Sequence, residues 1–201
     1  GLNDSNINYP SGDGNGFKLG GVTTAGNQSG GHTLTNNVAW GNYSRGFDEN
    51  CGGCIPNTLH NNTSWDNQRN YVFQTVNHTL VNNLSHGNLG DIGNTSNHSY
   101  NSWNLPVTVT DADFISLDDS CAMGPRQSDG SLPDCDFLKL ATSSDLIDKG
   151  TNVGLTYSGT APDLGAYELS LSDTTSALPD VVVTSTNYDV ATQKFTSVVK
   201  N

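Results

Sequence analysis

Basic side chains are scarce in this chain. Lysine and arginine together number 8 among 201 residues, against 20 aspartates and glutamates, and the net charge is −12. Such an acidic surface repels phosphate backbones and anionic lipids, so we expect neither nucleic acid nor a membrane as a partner. No apolar run approaches the roughly 20 residues that a membrane-spanning helix needs. A polyanionic substrate would have to be held by a local cation, from a side chain or from a bound metal.

Hydrophobic and charged residues are both infrequent, at 33% and 14% of the chain. Uncharged polar residues take their place, above all asparagine, of which 22 of the 25 precede residue 105. A disordered chain usually carries more charge and fewer aromatic residues than this one. A polar chain with regularly spaced aliphatic and aromatic residues is typical of a repetitive β structure.

Cysteine occurs four times. Cys51 and Cys54 form a C-x-x-C pair, but structural zinc needs four ligands and no second pair completes such a site. Disulfides are favoured instead, with Cys51–Cys54 and Cys121–Cys135 as one arrangement, although the sequence leaves their connectivity open. Disulfides indicate an oxidising compartment, so we expect a secreted, extracellular protein. The sequence begins at Gly1 without a signal peptide, which we interpret as a processed chain or a fragment.

A repeat occupies the first half of the chain. Residues 32–50, 57–75 and 78–96 share the pattern T-L-x-N-N-x-[AS]-[WH]-x-N, at spacings of 25 and 21 residues. Each segment alternates over short stretches separated by Gly and Asn, which predicts three short strands per coil and an all-β, parallel β-helix. A leucine-rich horseshoe would need an L-x-x-L-x-L pattern, which is absent. We expect the paired asparagines to stack at the bends.

The segment GDGNGFKLGG, residues 12–21, extends the same alignment. Side chains alternate along a strand, so one column points into the bore and the next points outward. The inward column is Phe17, Phe47 and Tyr71, and the outward column is Lys18, Asp48 and Val72. Gly16, Gly20 and Gly21 are expected to leave open backbone around Lys18, where a saccharide could dock. Lysine can act as a general base for removing a proton α to a uronate carboxylate.

The boxes GNGFKLGG, HTLTNNVAWGNYSRGFDEN and NTLHNNTSWDNQRNYVF, in this order, resemble the calcium-dependent pectate lyases of polysaccharide lyase family nine. The resemblance implies a right-handed parallel β-helix that cleaves polygalacturonate, an acidic polysaccharide, by β-elimination. It also implies that Lys18 is the proton-abstracting base and that calcium is bound by an aspartate cluster preceding the GNGFK box. Only Asp4 and Asp13 precede Lys18 here. We therefore expect that cluster, and the N-terminal coils that carry it, to lie outside this chain.

Two arginines share another column of the alignment. Arg45 and Arg69 are the remaining basic residues of the coils. We expect them to bind substrate carboxylates, together with Asp48, which lies one coil from Lys18. No residue of this chain is expected to be a metal ligand.

Four regions and a monomeric state are expected. The regions are about four β-helix coils at 1–105, a C-terminal cap at 106–169, a linker at 170–178 and a β-hairpin beginning an Ig-like domain at 179–201. Two functions remain open at this point. One is a pectate lyase that uses Lys18 and calcium, and the other is a non-catalytic extracellular β-helix that binds glycan or builds a surface filament.

Overall fold

The first compact unit of the chain contains the repeats. The computed structural model describes residues 12–21, 29–50, 54–93, 97–130 and 133–170, together with two strands near the C-terminus. The chain divides into two units, Gly1–Leu169 and Ser170–Asn201. Within the described part of the chain, no helix has the length and apolar character needed to cross a membrane.

Short strands of the first unit form three parallel sheets. Sheet A consists of β1 (Phe17–Lys18), β4 (Arg45–Asp48), β7 (Arg69–Phe73) and β10 (Gly90–Ile92). Sheet B consists of β2 (Thr33–Thr35), β5 (Thr58–His60), β8 (Thr79–Val81) and β11 (Asn97–Ser99). Sheet C consists of β3 (Val38–Trp40), β6 (Thr63–Trp65) and β9 (Leu84–His86). The predicted all-β parallel β-helix is confirmed.

The repeat alignment coincides with the strand register. Leu34, Leu59 and Leu80 pair in register along sheet B, and all three side chains are buried. In sheet C, Trp40 and Trp65 pair in register, followed by His86. Residues that repeat in the sequence therefore lie directly above one another on adjacent coils.

An aromatic column fills the bore beside sheet A, as predicted. Phe17, Phe47 and Tyr71 share one register position, with ring centroids 4.7 and 5.1 Å apart and interplanar angles of 10°. Gly90 pairs with Tyr71 in the next coil and has no side chain to continue the column. The ring of Trp103 packs against Tyr71 in its place, with ring centroids 5.1 Å apart. Phe47 and Tyr71 are fully buried, whereas Phe17, in the first described coil, is half-buried.

The two asparagines of each repeated pair have different roles. The first member has a left-handed backbone, which asparagine tolerates at a bend, with φ of 55° at Asn36, 52° at Asn61 and 59° at Asn82. The second member forms a ladder in which each backbone N–H donates to the side-chain oxygen of the next coil. Its steps are Asn37 to Asn62 (3.0 Å), Asn62 to Asn83 (3.0 Å) and Asn83 to Asn101 (2.8 Å).

Residues 106–169, predicted as the cap, pack against sheet C. The ring of Phe137 meets those of Trp40 and Trp65 edge-on, with centroids 5.3 and 5.6 Å apart. The segment contains a single 3₁₀ turn at Asp111–Asp113, the one helical element among the described residues. The buried hydrophobic residues of the first unit form two clusters, one around the aromatic column and one between sheet C and the cap.

The second unit contains an antiparallel pair of strands, β12 (Val182–Asp189) and β13 (Lys194–Lys200). The predicted turn at residues 191–193 lies outside the described residues. The assignment of residues 179–201 to the start of an Ig-like domain stays a prediction.

The cysteines follow the expected arrangement in part. Cys54 is buried and disulfide-bonded, and its pairing with Cys51 stays a prediction because residue 51 lies outside the described residues. The suggested Cys121–Cys135 bond is wrong, because both thiols are free and each donates to a backbone carbonyl of its own loop, at 3.9 and 3.7 Å. A hydrogen bond to Cys135 raises the pKa of the Cys121 thiol.

Candidate active site

Lys18 lies on the outer face of sheet A, at the end of β1. It pairs in register with Asp48, and 44% of its side chain is exposed. Its Nζ forms an ion pair with the carboxylate of Asp13. This hydrogen bond, together with the positive charge of Lys18, lowers the pKa of Asp13. The exposed position expected for Lys18 is confirmed, and the structure adds a carboxylate partner.

The chain before Lys18 is packed closely on the next coil. The backbone N–H of Gly16 donates to the carbonyl of Arg45 at 2.8 Å. A Cβ atom at Gly16 would lie 2.7 Å from Asn42 Nδ2 and 2.8 Å from the carbonyl oxygen of Gly46. The prediction that Gly16 leaves open backbone beside Lys18 is therefore wrong, because the neighbouring coil fills that space.

Asp48 and Val72, expected on the outer surface with Lys18, are covered by their surroundings, with 0% and 3% exposure. Three groups donate to the Asp48 carboxylate: Arg45 Nη1 (2.8 Å), Asn15 Nδ2 (2.8 Å) and the backbone N–H of Asn50 (3.0 Å). The expected exposure of Asp48 is thus wrong. A buried carboxylate needs such partners, and in this arrangement it fixes the position of Arg45.

A polar pocket of about 280 Å³ opens on the outer face of sheet A. Its lining consists of Asp13, Asn15, Ser44, Arg45, Asp48 and Asn50. We call it the sheet-A pocket. Arg45 keeps 35% of its side chain exposed although Asp48 holds its Nη1. Because Asp13 also binds Lys18, two cationic side chains flank the pocket.

Arg69 pairs in register with Arg45, as the alignment predicted, but is not part of the sheet-A pocket lining. Its Nη1 lies 2.7 Å from Asp91 Oδ2, and the two side chains are 46% and 44% exposed. Exposed ion pairs of this kind contribute only about 0–1 kcal/mol. Arg69 is therefore held less firmly than Arg45, and its role in substrate binding stays a prediction.

A larger cavity, of about 560 Å³, lies between sheet C and the cap. Aromatic side chains such as Trp40, Phe137 and Tyr167 line it, together with Arg126. Its lining is largely apolar, and Lys18 does not contribute to it. The smaller sheet-A pocket is the better match for an anionic, heavily hydroxylated ligand.

Comparison with known proteins shows what this chain resembles. No family model matches the chain. The chain is 43% identical over 175 residues to pectate lyase L of Dickeya chrysanthemi and 42% identical over 176 residues to pectate lyase L of Dickeya dadantii (strain 3937). The crystal structure of pectate lyase Pel9A matches it with a TM-score of 0.71 and 39% identity. Over most of its length the chain is similar in sequence and in fold to these pectate lyases.

The homology covers most of this chain but less than half of its relatives. The two pectate lyase L alignments cover 81% and 84% of this chain, and 39% and 40% of the relatives. The match to Pel9A covers 84% of this chain and 42% of that one. This chain therefore spans about two fifths of the length of the pectate lyases that it matches.

Calcium, which the family resemblance implies, takes six to eight oxygen ligands. In the part of the chain that the structure describes, no group of three or more His, Cys, Asp or Glu side chains could hold a metal ion. Within the sheet-A pocket, the carboxylates of Asp13 and Asp48 bind Lys18 and Arg45 instead. The described residues of this chain do not fit a calcium site.

Two residues at the site were not singled out by sequence reasoning. Asp13 was counted only as one of the few acids before Lys18, and its contact depends on how the glycine-rich segment folds back. Tyr43 immediately precedes Ser44 of the pocket lining and is 78% exposed. The sequence did contain one feature that could have drawn attention to Tyr43. Its bend has one residue more than the equivalent bend of the next coil.

Proposed function

We propose that this chain is part of an enzyme that cleaves polygalacturonate by β-elimination, with Lys18 as the general base. The neutral amine of Lys18 takes the proton from C5, which is α to the uronate carboxylate. The electron pair left on C5 forms the C4–C5 double bond as the C4–O bond breaks. The departing sugar oxygen keeps that bond's electron pair and takes a proton from water.

The observation that carries this proposal is the placement of Lys18 beside a preformed polar pocket with a second cation. Lys18 is exposed on the outer face of sheet A, and Arg45 is held next to it by the buried Asp48 carboxylate. Charge-assisted hydrogen bonds from a guanidinium suit a carboxylate ligand. A base and a carboxylate-binding cation are the two groups that proton abstraction from a uronate requires.

Two further features of the proposal rest on the relatives and on the cysteine chemistry. The relatives are named pectate lyases, and the family resemblance implies calcium, whose ligands we place outside the described residues. Cys54 is disulfide-bonded, and disulfides persist mainly in oxidising compartments. We propose that the protein is secreted and meets its polysaccharide outside the cell.

The test compares Lys18→Ala and Lys18→Arg with a matched control, Lys139→Ala. Lys139, like Lys18, pairs with an aspartate five residues earlier, at 2.9 Å from Asp134, but it lies in the cap. Turnover of polygalacturonate with calcium is followed by the ultraviolet absorbance of the unsaturated product. Because this chain spans about two fifths of the length of its relatives, the variants are compared in a longer form of the protein that includes the N-terminal coils we propose to carry the calcium ligands.

We expect Lys18→Ala to lower turnover by about 10²–10⁴-fold, the usual effect of losing a general base. Lys18→Arg should be nearly as inactive because a guanidinium keeps its proton, whereas Lys139→Ala should resemble the wild type. Activity should rise with increasing pH, because the reaction uses the neutral amine as its base. Near-normal turnover by Lys18→Ala would contradict the mechanism.

A second candidate for this chain is glycan binding without cleavage. It is favoured by the observation that the described residues offer no group of acidic side chains able to hold calcium. In one outcome this chain binds polygalacturonate, and only the longer form of the protein cleaves it. That result would show that this chain suffices for binding and that catalysis needs further residues.

A further inference from the structure

Tyr43 occupies an unusual position on the outer face of the β-helix. Its side chain is 78% exposed, in a protein whose other aromatic side chains in the coils are largely stacked in the bore or against the cap. It lies in the bend that leads from β3 to β4. Two residues separate Asn42 from Arg45 in this bend, whereas one residue separates Asn67 from Arg69 in the next coil. This bend is therefore one residue longer than the equivalent bend of the next coil.

The ring of Tyr43 is supported on one side by the glycine-rich segment. A Cβ atom at Gly14 would lie 3.0 Å from Tyr43 Cβ and 3.2 Å from its Cδ1, and Gly14 has a φ of 68°. The carbonyl of Gly14 also accepts a hydrogen bond from the Ser44 backbone N–H at 3.0 Å. Glycine at position 14 thus allows the glycine-rich segment to pack against one side of Tyr43. Most of the tyrosine remains exposed to solvent.

Arg45 stands two residues beyond Tyr43, at the sheet-A pocket. Asp48 holds its Nη1 at 2.8 Å, and Asp48 is itself fixed by Asn15 and Asn50. The guanidinium is therefore oriented before any ligand arrives, while 35% of the side chain remains exposed. Such pre-organisation lowers the entropy that a binding contact must otherwise lose.

We infer that Tyr43 and Arg45 form a subsite for one uronate residue of the polysaccharide, next to Lys18. This inference rests on the proposed function. The open ring of Tyr43 stacks on the C–H face of the pyranose, while the guanidinium of Arg45 binds the uronate carboxylate. An aromatic residue supplies a large contact area at low conformational cost, and the arginine supplies charge and a planar fork.

The two contacts recognise different features of the ligand and can be separated. The ring contact depends on the pyranose and not on its charge, so a methyl-esterified oligogalacturonide should still make it. The guanidinium contact depends on the free carboxylate and should be lost on esterification. A site that recognised charge alone would not depend on the ring of Tyr43.

The experiment measures binding of saturated oligogalacturonides, with free and with methyl-esterified carboxylates, by calorimetry on this chain. The variants are Tyr43→Ala, Tyr43→Phe and Arg45→Lys, and Tyr157→Ala is the control, because Tyr157 is another exposed tyrosine, at 38%, in the cap. Thermal unfolding of each variant is followed in parallel. Arg45→Lys keeps a positive charge near Asp48, so it avoids leaving that buried carboxylate without a cation.

We expect Tyr43→Ala to weaken binding of both ligands by roughly three- to tenfold, in keeping with the loss of an aromatic contact, while Tyr43→Phe retains it. Arg45→Lys should weaken binding of the free acid and leave that of the ester nearly unchanged. Tyr157→Ala should bind both ligands as the wild type does. In the extended enzyme, Tyr43→Ala should raise KM and leave kcat nearly unchanged.

Tyr43→Ala that binds as tightly as Tyr157→Ala would overturn the subsite, as would a wild-type chain that does not bind oligogalacturonides. The outcome is distinguishable from failure of the proposed function. If the ring-dependent and charge-dependent losses are found but Lys18→Ala keeps its turnover, the subsite stands and the catalytic assignment fails.

Discussion

Replacing Asn62 by alanine tests whether the asparagine ladder stabilises the β-helix. Asn62 is fully buried, and its Oδ1 accepts from the backbone N–H of Asn37 at 3.0 Å. Its Nδ2 lies 2.9 Å from Asn83 Oδ1 and 3.1 Å from the carbonyl of Leu34. Alanine would remove all of these contacts at the middle of the ladder.

The expected cost follows from the groups left behind. The N–H of Asn37 and the carbonyl of Leu34 would each lose a partner inside the protein. The Leu34 carbonyl still accepts within the ladder of β2 and β5, so the Asn37 N–H is the group left without a partner. Such a group costs about 1–3 kcal/mol, and Asn62→Ala should lower the free energy of unfolding by about that amount. That is a large part of the roughly 5–15 kcal/mol of a typical domain.

The assay is equilibrium unfolding in urea, followed by circular dichroism. Asn152→Ala is the matched control, because Asn152 is exposed and its side chain accepts one local hydrogen bond, from the Gly154 N–H at 2.8 Å. It should change stability by no more than about 0.5 kcal/mol. An Asn62→Ala protein as stable as Asn152→Ala would refute the reasoning that the ladder contributes to stability.

Two further predictions concern the bore and the cap. Phe47→Ala should lower stability by about 3–5 kcal/mol, and Phe17→Ala by less, because Phe47 is fully buried between two rings whereas Phe17 is half-buried; urea unfolding of both variants checks the order. Burial, and next the negative charge of Asp163, raise the pKa of Glu168 from its usual range to about 7. The folded state therefore binds this proton more tightly than the unfolded state, so the corresponding stability is fully present below about pH 4.5 and is lost as the pH rises through about 7. Glu168→Gln should flatten the dependence of the unfolding midpoint on pH over that range, and an unchanged pH profile would refute this assignment.

The coil architecture could be predicted because its signal is repeated. Leu34, Leu59 and Leu80 recur at the spacings of the coils, and a residue that recurs in this way must stack on its counterpart if each coil is to bury its apolar face. The alternation within each strand then placed Phe47 and Tyr71 in the bore. These predictions needed only the period and the direction of side chains, both of which are local properties of the sequence.

The surroundings of Asp48 could not be predicted in the same way. Alternation gives the face of the sheet on which a side chain lies, but not which neighbours cover it. Of the three donors to its carboxylate, Arg45 and Asn50 lie within three residues of Asp48, but Asn15 is 33 residues away. The same limit applies to Gly16, where the close approach of Asn42 depends on how two bends pack.

The candidate site and the asparagine bends are parts of one arrangement. The backbone N–H of Asn42 donates to Asn67 Oδ1 at 2.9 Å, and its Nδ2 donates to the same oxygen at 2.8 Å. Asn42 is thereby fixed immediately before Tyr43, and its side chain leaves no room for anything larger than glycine at position 16. Gly16 in turn precedes the strand that carries Lys18. The stacked asparagine amides thus set the distance between Lys18 and the bend that carries Tyr43 and Arg45. In this way a chain rich in asparagine holds its few basic side chains in defined positions.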